Sequence, residues 1–128
     1  MKTIDEQFAQ VQRAFPEATL TAMGGGVSLV RIPGVALPDG WSQPATEVLF
    51  VVPNGYPNAA PDCFWADPSL RLCNGALPQN AQIGQANSGQ PDPNKLWFSW
   101  HLQVAWNPMQ SNLMTYINVI RRRFEAAQ

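Results

Sequence analysis

Prolines interrupt this chain too often for a long helical bundle. Twelve prolines and nine glycines fall within 128 residues. A proline inside a helix removes a hydrogen bond and clashes with the preceding turn, so the frequency implies turns and extended segments. Helical periodicity survives at the two ends. At the start, Thr3-Ile4-Asp5-Glu6 reads as a capping box, the Thr3 hydroxyl capping the first turn and Glu6 returning the bond. Ile4, Phe8, Val11 and Phe15 follow at helical spacing, and Pro16 ends the run. At the other end Leu113, Tyr116, Ile117, Ile120 and Phe124 form an apolar stripe, with Asn107 predicted as its cap and Pro108 in the first helical position.

The middle reads as strands and loops. Thr19 to Met23 and Val27 to Ile32 flank Gly24-Gly25-Gly26 and predict a hairpin. The triple glycine lacks the Lys-Ser/Thr and the following helix of a phosphate loop, so it is read as a turn. Pro33 to Pro44 predicts a loop, and Thr46 to Val52, with its dense run of Val48, Leu49, Phe50, Val51 and Val52, predicts the central strand. After the turn at Pro53 to Pro57, Asn58 to Asp62 continues irregularly and Cys63-Phe64-Trp65 predicts the last strand. Residues 74–95 are rich in Asn, Gln, Gly and Pro without apolar period and predict one long loop. Loops of that length in a compact domain are often functional. The fold class is therefore α+β: an N-terminal helix, an antiparallel meander, a long irregular segment and a C-terminal helix, in one domain over residues 1–128.

Charge and cysteine usage narrow the function. With a formal net charge of -1 there is no global basic field for a phosphate backbone. Arg121, Arg122 and Arg123 would fan over about 200° of a helix and read as a solvated helix end, so no nucleic-acid partner is expected. No apolar run approaches a membrane span, and Met1-Lys2 leads into an amphipathic helix rather than a signal peptide. The expectation is a cytoplasmic protein with reduced thiols at Cys63 and Cys73. Those two cysteines with His101 are too few for a familiar structural zinc site, so no metal and no cofactor are expected.

The stretch Leu49-Phe50-Val51-Val52-Pro53-Asn54-Gly55-Tyr56-Pro57-Asn58-Ala59-Ala60-Pro61-Asp62 resembles the strand and Tyr-Pro-x-x-x-Pro turn of ubiquitin-conjugating (UBC) proteins. Pro57 and Pro61 stiffen a chain reversal there, and the Tyr56 ring with its polar tip locks it. Trp106-Asn107-Pro108 before the last stripe resembles the step into the helix that follows the UBC active site. Together with Phe64-Trp65 and Trp97-Phe98-Ser99-Trp100-His101, these motifs in this order resemble the prokaryotic UBC family E. The resemblance covers most of the chain. It implies a bacterial ubiquitin-like modification pathway, with a ubiquitin-like protein, an adenylating activating enzyme and often a JAB-type peptidase as partners.

The same resemblance raises a question of chemistry. A conjugating enzyme needs a cysteine thiolate to accept the modifier as a thioester. Its His-Pro-Asn motif supplies an asparagine thought to stabilise the oxyanion. Counting from the Tyr-Pro turn, that motif falls on Leu72-Cys73-Asn74, where Asn74 matches the asparagine and the histidine is missing. Counting back from Trp106, His101-Leu102-Gln103-Val104 lies where Cys-Leu-Asp-Ile is expected, so His101 stands in the nucleophile's place. Cys73, Asn74 and His101 are the candidate site residues. Cys73 is either a relocated nucleophile served by His101 or a small thiol at a loop end, and His101 either a general base or a histidine that holds its loop. Cys63 is read as a buried strand residue. Trp97, Phe98, Trp100 and Trp106 are read as core rather than a carbohydrate or peptide platform, and Asp62 and Asp67 as turn or capping carboxylates. Two functions follow: a conjugating-type carrier, or an adaptor that keeps the fold without the thioester, as UEV proteins do. A UBC-fold assembly module with no ubiquitin-like partner is a third.

Overall fold

A computed structural model of the chain describes residues 3–83, 94–102 and 105–128. The first helix, α1, spans Ile4–Ala14 with the expected box: Thr3 Oγ1 accepts from Glu6 N at 3.1 Å, and Glu6 Oε1 accepts from Thr3 N at 3.2 Å. Among the described residues six strands follow, β1 Thr19–Gly24, β2 Val27–Ala36, β3 Ala45–Val52, β4 Phe64–Ala66, β5 Ala81–Ile83 and β6 Leu96–Phe98. The last helix, α2, spans Leu113–Glu125. The strands form one antiparallel sheet in the order β1-β2-β3-β4-β6-β5.

The period of two decides what the sheet buries. Val30 and Ile32, Val48, Phe50 and Val52, Phe64 and Ala66, and Leu96 and Phe98 all belong to one buried cluster. Phe8 and Val11 of α1 and Leu113, Tyr116, Ile117, Ile120 and Phe124 of α2 complete it, so both apolar stripes pack where their spacing directs. Each fully buried side chain of this size contributes about 1.5–3 kcal/mol. Phe64 stacks on Phe98 at 4.6 Å, and Phe124 meets both rings edge-on.

Several expectations are corrected. The segment expected as a loop from Pro33 begins as strand, because β2 runs on to Ala36. Pro33 and Gly34 sit where the register shifts between Ile32 and Val35. A bulge is the place in a sheet where a proline without an N–H is tolerated, and Gly34 supplies the φ of 68° it needs. Cys63-Phe64-Trp65 is not the last strand, since β5 and β6 follow, and Cys63 itself lies just outside β4. The loop expected over 74–95 contains β5, whose three residues are too few for a visible periodicity; residues 84–93 lie outside those described. Asn107 does not cap α2. Its carbonyl accepts from Gln110 N and Ser111 N and its side chain from Met109 N, closing a single turn. Asn112 then caps α2 by a reciprocal pair with Thr115.

The basic run is corrected at one residue. Arg123 is 4 % exposed. Its guanidinium donates to the carbonyls of Gln79, Ala126 and Gln128 at 2.7–2.9 Å, and lies over the rings of Trp41, Phe98 and Trp100. Arg121 and Arg122 are exposed as expected.

Candidate functional site

The Tyr-Pro turn is anchored to both helices by one buried amide. Gln7, 3 % exposed in α1, accepts at Oε1 from the Tyr56 hydroxyl and, at 3.1 Å, from Leu113 N at the start of α2. Trp106 closes the far side: its indole donates to Pro57 O at 2.7 Å, and its ring lies 5.9 Å from that of Tyr56. Burial pushes the Tyr56 phenol well above its usual pKa, which keeps it a donor. This frame fixes the chain that leads from Pro57 through Pro61 to Asp62 and Cys63.

At Cys63 the backbone turns left-handed, with a φ of 61°. The peptide is clamped there: Cys63 N donates to Trp100 O at 3.1 Å, and the Tyr116 hydroxyl of α2 donates to Cys63 O at 2.8 Å. These bonds bring residues 100–102 alongside. His101 Nδ1 lies 2.7 Å from Asp62 Oδ1, and one donor atom each of Asp62, Cys63 and His101 all fall within 4.8 Å of one another. Cys63 is 9 % exposed, while the His101 and Asp62 side chains are 68 % and 58 % exposed. Burial pushes the Cys63 thiol's pKa up, and the charge of Asp62 adds to this; the neighbouring Trp100 backbone and Trp97 side chain pull the other way.

The other candidate thiol stands elsewhere. Cys73 is exposed in a tight turn, where Gly75 N donates to Leu72 O, Leu72 N to Ala76 O, and Asn74 Oδ1 accepts from Ala76 N at 3.0 Å. Cys73 N donates to Gly40 O, beside Trp41, whose indole donates to Phe124 O in the last turn of α2. Cys63, by contrast, hangs from Tyr116 in the first turns of that helix. Eight residues of α-helix span ~12 Å, so the two thiols attach to opposite ends of α2. Among the described residues the structure brings His101 together with Cys63 and Asp62, and Cys73 and Asn74 are not in that group.

The remaining aromatic and acidic expectations divide. Phe98 is core, Trp100 half-buried against Arg123, and Trp106 the brace of the Tyr-Pro turn. Asp67 holds a turn role, accepting from Gln43 Nε2 at 2.9 Å and donating its N–H to Thr46 Oγ1. Asp62 does not: it is the partner of His101. The sequence carried no periodic signal for that pairing, because it depends on a left-handed residue and on residues 39 positions apart.

The family model described as Prokaryotic E2 family E matches residues 5–127. The chain belongs to this family. Comparison with curated proteins and with solved structures gives no match. Membership makes the chain a UBC-like component of a conjugation pathway, with the ubiquitin-like protein and the activating enzyme as the partners such a component implies. Among the described residues no helix is long and apolar enough to cross a membrane.

Proposed function

We propose that this chain binds the ubiquitin-like protein presented by its activating enzyme and acts as a UBC-fold adaptor, without holding the modifier as a thioester. One observation carries the reading. Where a conjugating enzyme offers a thiol, this chain offers His101 paired with Asp62, and the neighbouring Cys63 is buried beside them. Burial and an adjacent negative charge both disfavour the thiolate, which is the nucleophilic form. An acyl-imidazole on His101 would hydrolyse too readily to serve as a store. A JAB-type peptidase that releases the modifier is the further partner this reading implies.

The exposure of Cys73 favours a second reading. There its thiolate would attack the thioester carbonyl on the activating enzyme, form a new thioester and release that enzyme's thiol, with Asn74 beside it. The two readings part on a single variant. Calorimetry should give the same affinity for the ubiquitin-like protein with wild type and Cys73→Ser, and transfer to targets in the reconstituted pathway should be unchanged. Loss of transfer in Cys73→Ser, with binding kept, would replace the adaptor with the carrier.

A further inference from the structure

The compactness of the Asp62, Cys63 and His101 group sets it apart from a catalytic relay. In a carboxylate–imidazole–thiol relay the ring stands between its partners, one on each nitrogen. Summing a carboxylate hydrogen bond, the width of the ring and a contact to sulfur puts the carboxylate and the thiol roughly 7 Å apart. Here the sulfur, a ring nitrogen and a carboxylate oxygen all lie within 4.8 Å of one another. Three possible ligand atoms are therefore close enough together for one ion to reach all of them.

The backbone shows how neighbouring residues achieve this. Along an extended chain successive side chains point to opposite faces, so Asp62 and Cys63 would diverge. The φ of 61° at Cys63 cancels the alternation. A non-glycine residue in this region is uncommon, costs about 1–3 kcal/mol, and persists only where its surroundings impose it. Here bonds from Cys63 N to Trp100 O and from Tyr116 Oη to Cys63 O hold it in place.

We propose that Asp62, Cys63 and His101 form a mononuclear zinc site with an exchangeable fourth position. Sulfur, imidazole nitrogen and carboxylate oxygen are all ligands of Zn²⁺, at about 2.3, 2.0 and 2.1 Å, and three protein ligands plus water is the make-up of an open site. Donors on such an ion lie roughly 3.5 Å apart, so the group closes on the metal by shifts of about 1 Å. The Asp62–His101 contact opens from 2.7 Å to admit it. The sulfur lies on the buried side, while the carboxylate and the imidazole lie at the surface and leave the fourth position facing solvent. A dication takes the sulfur as thiolate and releases its proton to solvent. Bound metal ties the end of the Tyr-Pro turn to residues 100–102, at the place where a UBC enzyme performs transfer. The inference does not depend on the adaptor reading, because the metal alone is the probe.

The test is Co²⁺ and Zn²⁺ titration of the purified full chain after chelation and removal of the chelator. One equivalent of Co²⁺ should bind with a sulfur-to-cobalt charge-transfer band and tetrahedral ligand-field bands, and Zn²⁺ should displace it. Asp62→Asn and His101→Ala alter exposed side chains and leave the fold intact, so each should weaken Zn²⁺ by at least about tenfold, the loss that even an outer partner of a ligand can produce. Cys63→Ser should abolish the charge-transfer band, and Cys73→Ser should keep it. No band, affinity unchanged in Asp62→Asn and His101→Ala, or loss of the band in Cys73→Ser instead, would each overturn the site.

Discussion

Replacing Arg123 by alanine is expected to destabilise the protein by about 3 kcal/mol, although a basic triplet at a helix end looks expendable. The wild-type guanidinium makes three charge-assisted bonds, to the carbonyls of Gln79, Ala126 and Gln128, and it lies 5.2–5.7 Å from three aromatic rings. Bonds to a charged group contribute roughly 1.5–3 kcal/mol each and a desolvated cation–π contact about 2. Against these stands the cost of burying the cation, several kcal/mol, which also lowers the Arg123 pKa. Removing the side chain recovers that cost but leaves three acceptors without a donor. Water reaches some of them, because Gln79, Ala126 and Gln128 are exposed, so the net is about 3 kcal/mol, that of one or two acceptors left unpaired at about 1–3 kcal/mol each. Urea unfolding followed by tryptophan fluorescence measures it, with Arg122→Ala as the control expected within about 0.5 kcal/mol of wild type. If the two variants unfold at the same urea concentration, the buried role of Arg123 is wrong.

Three further outcomes follow from the same geometry. Gln7→Ala leaves the Tyr56 hydroxyl and Leu113 N–H without their shared acceptor and should cost about 2–4 kcal/mol, measurable as a lowered urea midpoint. Asn112→Ala should cost about 1 kcal/mol through loss of the α2 cap, whereas Asn107→Ala, which closes only a turn, should cost less than half of that. Burial works to raise the Glu47 pKa, but bonds from Lys95 and Arg31 outweigh it and hold it below the usual 4.5. A depressed carboxylate stabilises above its unfolded pKa and loses that contribution as pH falls through the folded one. Glu47→Gln should therefore be about 1 kcal/mol less stable at pH 7, with the gap to wild type closing below about pH 4.

The parts of the fold that were legible in the sequence are those written in local chemistry. The capping box at Thr3, the glycine turn of the hairpin, the apolar run of β3 and the stripe on α2 each depend on residues a few positions apart. The Tyr-Pro turn and the Trp106 step were legible as motifs. What escaped depends on contacts across the chain. β5 and β6 have three residues each, and β6 pairs with the edge of β4 while β5 pairs with the edge of β6. Arg123 looks like its exposed neighbours until the carbonyls of residues 79, 126 and 128 are brought to it. Asn107 was read as the cap of α2, but Asn112 takes that role, its N–H bonding the Thr115 hydroxyl one turn on. At the candidate site His101 was legible, but its partner was not. The nearer thiol is the one the strand pattern assigned to the core, because a left-handed residue breaks the alternation on which that assignment rests.

The most direct test of the adaptor reading is the intact mass of the chain after incubation with its activating enzyme, ubiquitin-like protein and ATP, quenched without reductant. The expected result is an unchanged mass alongside a complex with the ubiquitin-like protein in native mass spectra. A mass increased by that of the modifier less one water, and restored by added thiol, would show a thioester and contradict the reading.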